Sequence, residues 1–442
     1  MYGKTATKFA SYPVDIQSVC QDKNNNLNFK TYTSPSGVEY EVVNYENNKE
    51  FESFSEMDTT GFRGAYRSVV LEPETQEVLS FAPPKSIPLD IFKKKFPDFK
   101  LKNLLVNEFI EGTMINLFYD KRSENWEIST KGAVGGDYWY FRNTYENAEC
   151  HQSTFREMFL NACRVNSDGD IKQIPFMNDL CTDYCYSFVL QHPENHIVLP
   201  ITVPTIYLVA VYWLRNNDQI HKVTGLKYEK NEIVSLPLEY FVELQSYGIM
   251  LPRVLYSNGI VNETYDSLYE KYCNINGFQT VGLMITDMEN GYRTKMLNDN
   301  YETLRKIRGN NPNLHYQYLC LLKADQVMTF LNLFPRYTKL FNQFYYQQSN
   351  FVKKVHDAYF SYFIKKLGKQ IHIDKPIFKH IHDIHKNIYL ENMAKGNKIV
   401  ITRQVIADWF NDFEPKEMLY HLNYLNREYA VQCEKNGINV AV

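Results

Sequence analysis

Between residues 28 and 300 the apolar positions come in short runs rich in β-branched and aromatic residues, each closed by Gly, Pro, Asn or Asp. Runs of that kind predict strands at FKTYTS, YEVVNY, AYRSVVLE, VLSFAPP, MINLFYD, WEISTKG, YCYSFVL, HIVLPITV and IYLVAVYWL. Helical spacing interrupts them at Pro88–Phe96, at Thr154–Val165 and near Leu236–Tyr247. Strands following strands, with few helices between them, imply an α+β region built on antiparallel sheets. After Tyr301 the pattern changes. Tyr301–Lys306, Tyr316–Leu333, Tyr337–Leu367, Ile377–Met393, Arg403–Asp412 and Pro415–Lys435 repeat their apolar residues at three-and-four spacing. Thr402, just before Arg403, has the side chain of an N-cap. The expected organisation is therefore a sheet domain over residues 1–325 and an all-helical C-terminal domain over 326–442.

Composition narrows this picture. A chain of 442 residues is too long for one ordinary core, and 44% hydrophobic with 22% charged residues marks it as globular. The formal net charge of −3 does not draw polyanions over the whole surface, so any nucleic-acid binding must rest on locally clustered Lys and Arg. The cysteines are scattered without a C-x2-C pair, which fits a reducing, cytoplasmic setting and argues against a disulfide framework. Cys181 and Cys185 would need two further ligands to hold a metal, with His151 and His192 the nearest. The start, MYGKTATKFASYPVD, lacks the apolar core of a signal peptide. The longest apolar stretch, Ile197 to Leu214, contains Pro200 and Pro204 and reads as two buried strands joined at a bend, not as a membrane span.

The candidate chemistry lies in cations at strand ends beside glycines that let backbone approach a ligand. They are Arg63-Gly64, Lys85 in the segment Phe81–Ser86, Lys131-Gly132, and the pair Arg293 and Lys295, which share one face of a strand because the side-chain period is two. Cations converging on one cleft make a phosphate site. Between them lies Glu108-Phe109-Ile110-Glu111-Gly112-Thr113.

Taken in order, these segments resemble the bacteriophage tRNA-repair RNA ligase family of the covalent nucleotidyltransferases, in the divergent form associated with large cytoplasmic DNA viruses. Arg63-Gly64 matches the family's upstream Arg-Gly strand and Lys85 its Pro/Phe-rich lysine segment. The stretch from Glu108 to Thr113 matches the Lys-x-Asp-Gly-Ser box, Thr130-Lys131-Gly132 the Ser-Lys-Gly segment, and Phe188–Val198 the Phe-Glu strand with its Pro-x-Asn-x-Ile-Val continuation. Val281-Gly282 matches the Glu-Gly strand, and Arg293-Thr294-Lys295 the closing basic strand. The resemblance spans roughly residues 30 to 300. It implies a ligase-like nucleotidyltransferase fold unrelated to ATP-grasp, with ATP and Mg²⁺ as cofactors and RNA, tRNA included, as partner. It also implies Arg63, Lys85, Glu111, Gly112, Lys131, Arg293 and Lys295 as nucleotide or phosphate contacts, Glu111 standing at the ribose position.

The chain departs from the family at the chemistry. The nucleotidyl lysine aligns with Phe109, which has no nucleophile, and two glutamate positions are Val189 and Val281. Three apolar replacements that keep the strands intact read as catalysis lost and fold retained, an RNA-ligase-like pseudoenzyme. An alternative gives the lost role to Lys85, whose backbone follows two prolines and whose amine Arg63 would acidify. Another alternative is a non-enzymatic protein, docking in a virion or a transcription complex in a viral factory. Elsewhere, Arg305–Pro312 is a candidate RNA clamp or a solvated helix end. His372, His380, His382 and His385 read as surface histidines more readily than as a zinc site. The Lys-and-aromatic helix Tyr337–Leu367 offers base stacking or, more simply, core.

Overall fold

The structure is a computed structural model; it describes residues 10–13, 27–34, 37–45, 63–97, 104–140, 153–214, 219–220, 227–228, 232–257 and 263–424. Contacts divide the chain into two compact units, and the backbone passes from the first to the second after Lys306.

The first unit holds the sheets, and every ladder within them is antiparallel. One four-stranded sheet is a meander of β2 (Leu27–Thr33), β3 (Glu39–Tyr45), β4 (Val69–Leu71) and β5 (Val78–Phe81). A six-stranded sheet orders β1 (Ser11–Pro13), β13 (Glu232–Leu236), β10 (Thr205–Leu214), β9 (Tyr184–Gln191), β7 (Thr113–Asp120) and β8 (Asn125–Ser129). A further four-stranded sheet orders β14 (Val254–Ser257), β6 (Leu104–Glu108), β15 (Gly282–Asp287) and β16 (Arg293–Leu297). A short ribbon of β11 (Gln219–Ile220) and β12 (Lys227–Tyr228) stands apart.

The sheets are held by apolar side chains; buried positions alternate with more exposed ones along β16 and run on consecutively along β4 and β9, which are buried on both faces. Val42, Val69, Phe81, Phe118, Cys185 and Tyr212 share one core between the meander and the large sheet. Ile115, Phe159, Phe188, Leu208 and Val234 build another against the helix Phe155–Ala162. Thr154 opens that helix with a full capping box, its side chain accepting from the Glu157 amide while Glu157 answers to the Thr154 amide. Ile87, Phe92, Val106, Leu283 and Met296 pack the third sheet against the helix Leu89–Lys95.

The α+β class with antiparallel sheets, the helical C-terminal region and the Thr402 cap are all present; Thr402 accepts from the Val405 amide. Four expectations change. The stretch His196–Val203 is not a strand but a loop, for a reason that belongs to the site. Leu238–Tyr247 is a 3-10 helix kinked at Phe241, following Pro237 and stopped by Gly248 at φ +85°. The span Tyr316–Leu333 is two helices, Leu314–Lys323 and Val327–Leu333, parted at Asp325 with φ +52°. Tyr337–Leu367 is the helix Thr338–Tyr359 running into a π turn, Phe360–Ile364. The last helix is seen as Pro415–Leu422, and residues 425–435 lie outside the described ones. Among the described residues no helix is long and apolar enough to cross a membrane.

Gly112 marks a close approach of backbone to backbone in the site's floor. A Cβ there would collide with the Leu190 carbonyl oxygen and with Val189 Cγ1. Gly112→Ala is therefore expected to lower stability by about 2–3 kcal/mol, read from urea denaturation followed by circular dichroism. An unchanged midpoint would show that β7 and β9 are not so closely joined there.

Candidate functional site

β6 ends at Glu108, and the Phe109 amide donates to the Gly282 carbonyl at 2.8 Å, so the box from Glu108 to Thr113 leaves its sheet beside the start of β15. Gly282 permits this, since a Cβ at its φ of +142° would strike the Met296 carbonyl and Leu297 Cα. Across β15 runs β16, an edge strand. Its alternation buries Thr294 and Met296 on one face and turns Arg293 and Lys295 to the other.

Arg293 and Lys295 line a cavity of about 110 Å³ with Arg67, Phe109, Gly112 and Val189. An adjoining, more apolar cavity of about 380 Å³ shares Arg293 and Asn107 with it. Arg293 Nε and Asn107 Oδ1 are buried there without a hydrogen-bond partner, which is the condition of groups that await one. Lys295 Nζ stands 4.8 Å from the centre of the Phe109 ring.

The electrostatics of this corner are those of like charges held close. Burial, then Arg67, Arg305 and Arg293, push the Lys295 amine down to about 7. Burial and Arg67 also lower the Arg293 guanidinium, against the opposing pull of Tyr212 and Tyr12. Burial, Arg67 and Lys85 lower the Lys131 amine. Lys85 and Lys131 both lie over the buried Tyr45 ring, at 5.2 and 4.8 Å from its centre. Lys85 is placed by its own amide, which donates to Gly64 at 2.9 Å, and by Ile87, whose amide donates to Arg293 at 2.8 Å. Lys131 is placed by the turn in which the Thr130 amide donates to Ala133, and Ser68 Oγ donates to the Thr130 carbonyl at 3.1 Å.

Lys85, Lys131, Arg293 and Lys295 thus stand in one electrostatic group, and Gly112 lines its cavity. The residue at the group's centre is Arg67, which sequence reasoning passed over in favour of Arg63. Arg63 opens a single 3-10 turn, Arg63–Ala65, and its side chain lies outside the described residues. The missed signal was short: Arg67 sits two residues before β4, in AYRSVVLE, where one more residue of strand register would have singled it out.

Glu111 does something other than face the cavity. Its carboxylate is buried and accepts the amides of Ile197, Val198 and Leu199 at 3.0–3.4 Å. Those are amides that a β ladder would otherwise have satisfied, which is why His196–Val203 runs as a loop. Gln191 Nε2 donates to the Glu111 carbonyl at 2.8 Å, and Asn195 Nδ2 to Thr113 Oγ1 at 2.7 Å, so the loop is fastened to the box along its length. Beneath it Val198, Val281 and Tyr301 form a small apolar cluster against which Phe109 packs.

Other singled-out groups are placed elsewhere. Arg308 is fully buried, with Nε donating to Tyr337 Oη at 3.0 Å, and does not clamp RNA at the surface. His380 is buried against Phe351 and Trp409, His382 packs among Tyr362, Phe363 and Phe378, and His385 stacks on Phe363, so three of the four expected surface histidines lie among aromatic rings; His372 is the exposed one. Cys185 is buried against the Phe81 backbone and Cys181 is exposed, while His192 Nε2 meets Asn161 Oδ1; His151 lies outside the described residues. Most aromatics of the helix Thr338–Tyr359 are core, though Tyr345 and Tyr346 are exposed.

Comparison with known proteins gives the same direction. An RNA ligase of Rhodothermus phage RM378 is 31% identical over 125 residues, covering 28% of this chain and 26% of the phage protein. The chain is similar to RNA ligases. An immediate-early protein ICP-46 homolog of Invertebrate iridescent virus 3 is 24% identical over 237 residues, covering 52% of this chain and 43% of that protein. The chain thus spans well under half the length of the curated relatives it matches, and both are viral. A putative ATP-dependent DNA ligase from Aquifex aeolicus aligns over 72% of this chain and 69% of its own, at 11% identity and a TM-score of 0.39. No family model matches.

Two substitutions test this geometry. Glu111→Gln is expected to cost about 2 kcal/mol in urea denaturation, because three buried amides lose a charged acceptor, while phosphate affinity holds. Affinity falling with unchanged stability would instead place the carboxylate on the ligand. Lys295 carries the opposite sign. Its folded pKa lies below the ordinary lysine value of 10.5, so its charge destabilises the fold fully below pH 7, and that cost fades as pH rises from 7 to 10.5. Lys295→Met should raise stability near pH 7 by about 1–2 kcal/mol, the larger nominal shift being screened by partial exposure. A lower melting temperature for that variant would show the amine to be paired.

Proposed function

We propose that this chain is an RNA-ligase-like protein that binds nucleotide or RNA phosphates in the cleft of its sheet unit without forming a lysyl-nucleotide. The single observation that carries the reading is the convergence of Arg67, Arg293 and Lys295 on a cavity that also holds Phe109, with Lys131 acted on by Arg67 and Lys85 beside it. Among the described residues, none of Arg67, Arg293 and Lys295 forms an ion pair with a carboxylate. A cluster of this kind raises the energy of the empty protein and lowers that of an anion complex by the same electrostatics.

Phe109 supports the second half of the reading. A lysine there would present its amine to the cavity; the phenyl ring instead packs toward Val281 and Val198 and gives Lys295 an aromatic face to lie on. The similarity to a phage RNA ligase supports RNA as the natural source of the phosphates. The helical unit is left a supporting role, and tRNA is the partner that the resemblance favours.

Filter binding of a labelled single-stranded RNA over a salt series tests the binding half. Log affinity should fall with log salt, and Arg67→Ala or Lys131→Ala should each flatten the slope by about 0.7 and weaken binding about tenfold or more. Melting curves of the variants guard against misfolding. Incubation with Mg²⁺ and ATP radiolabelled at its α-phosphate tests the other half: no covalent label should remain on the chain after denaturing electrophoresis. A label lost in Lys85→Ala would replace the reading with an active ligase using Lys85, and neither label nor RNA binding would leave a docking protein.

A further inference from the structure

The resemblance brings a divalent ion with it, as the usual companion of a triphosphate. Whether this chain can seat one is decided by its own donors, since a hard cation needs several oxygen ligands. Glu108 lines the cavity, but its Oε1 accepts the Arg253 amide at 3.0 Å. Glu111 spends its carboxylate on the amides of 197–199. Val189 lines the cavity with methyl groups, and Val281 is sealed in the apolar cluster with Val198 and Tyr301. Among the described residues no group of His, Cys, Asp and Glu is assembled to hold a metal. The cavity lining sets three cations, Arg67, Arg293 and Lys295, against the single carboxylate of Glu108. The residues present do not fit the ion.

We propose that this cavity takes an oligophosphate, the triphosphate of a nucleotide or of an RNA 5′ end, without a divalent metal, Arg67, Arg293 and Lys295 supplying the charge an ion would bring. The proposal rests on the phosphate-binding reading above and says how that binding is balanced. A lone phosphodiester brings one negative charge and leaves most of the cluster unmatched. A terminal phosphate brings about two near neutral pH, and a chain of phosphates brings more. Arg293 lines the cavity, and its buried Nε has no hydrogen-bond partner in the protein.

Two consequences follow. Mg²⁺ in solution competes with the protein for the phosphates, so it weakens binding rather than enabling it. Lys295 lies over the Phe109 ring within the field of Arg67, Arg305 and Arg293, and its amine, held near 7 in the free protein, rises when an anion arrives. The complex therefore takes up a proton above that pH, and affinity falls as pH climbs past it.

Calorimetric titration of the full chain tests this with inorganic tripolyphosphate, ATP, and one RNA strand bearing either a 5′-triphosphate or a 5′-hydroxyl, each in EDTA and in excess Mg²⁺. Tripolyphosphate is expected to bind in EDTA at least as tightly as in Mg²⁺, with Arg67→Gln weakening it about tenfold. Tighter binding of ATP or of the 5′-triphosphate strand than of tripolyphosphate supports the proposal and names the source of the phosphates. At pH 8, buffers of different ionisation enthalpy should reveal uptake of up to one proton, absent in Lys295→Met. Binding seen only with Mg²⁺ overturns the metal-free site while leaving a phosphate site standing. No binding of any phosphate in either condition overturns both. Equal binding of the two RNA ends also overturns the proposal, because the terminal oligophosphate would then contribute nothing.

Discussion

Repulsion among Arg67, Arg293 and Lys295 is the constraint from which the rest of the site follows. Left to itself a cluster of cations pushes its strands apart. Here it is held by neutral means: ladder hydrogen bonds along β15 and β16, the Ile87 strap across the edge of β16, and aromatic faces under Lys85, Lys131 and Lys295. The cost is visible where it should be, in an amine driven down to about 7 and a guanidinium lowered by burial and by Arg67. Folded proteins rarely keep such crowding unless it serves binding.

The sheet unit was largely legible because its strands are short, β-branched and bounded by turn residues, so period-two alternation survives in the letters. Arg293 and Lys295 were readable for the same reason: two residues of one strand must share a face. What failed to show was anything settled by a partner distant in sequence. HIVLPITV has the composition of a strand, and only the Glu111 carboxylate, which accepts its amides from more than eighty residues away, turns it into a loop. Glu111 itself was read from a motif as a ligand contact, whereas its geometry is that of a backbone acceptor. Arg308 and His380 carry polar labels yet sit in aromatic surroundings, which periodicity cannot tell from a solvated face. Arg63 was chosen over Arg67 because a glycine followed it, a cue about backbone freedom and not about where a side chain points.

The apolar replacements are tied together by contact as well as by alignment. Phe109 packs against the cluster of Val198, Val281 and Tyr301, and Val189 lines the cavity beneath Gly112. Together they make a dry surface, and burying a lysine or glutamate there without a partner would cost several kcal/mol. On the proposed reading, the site differs from a ligase centre by more than one residue. Restoring a lysine at Phe109 would bring a further cation to Lys295 and place its stem among valines, with Glu111 already committed to the loop. On the proposed reading, the packing around Phe109 that leaves no place for a lysine amine there also leaves the cationic wall open to an anion.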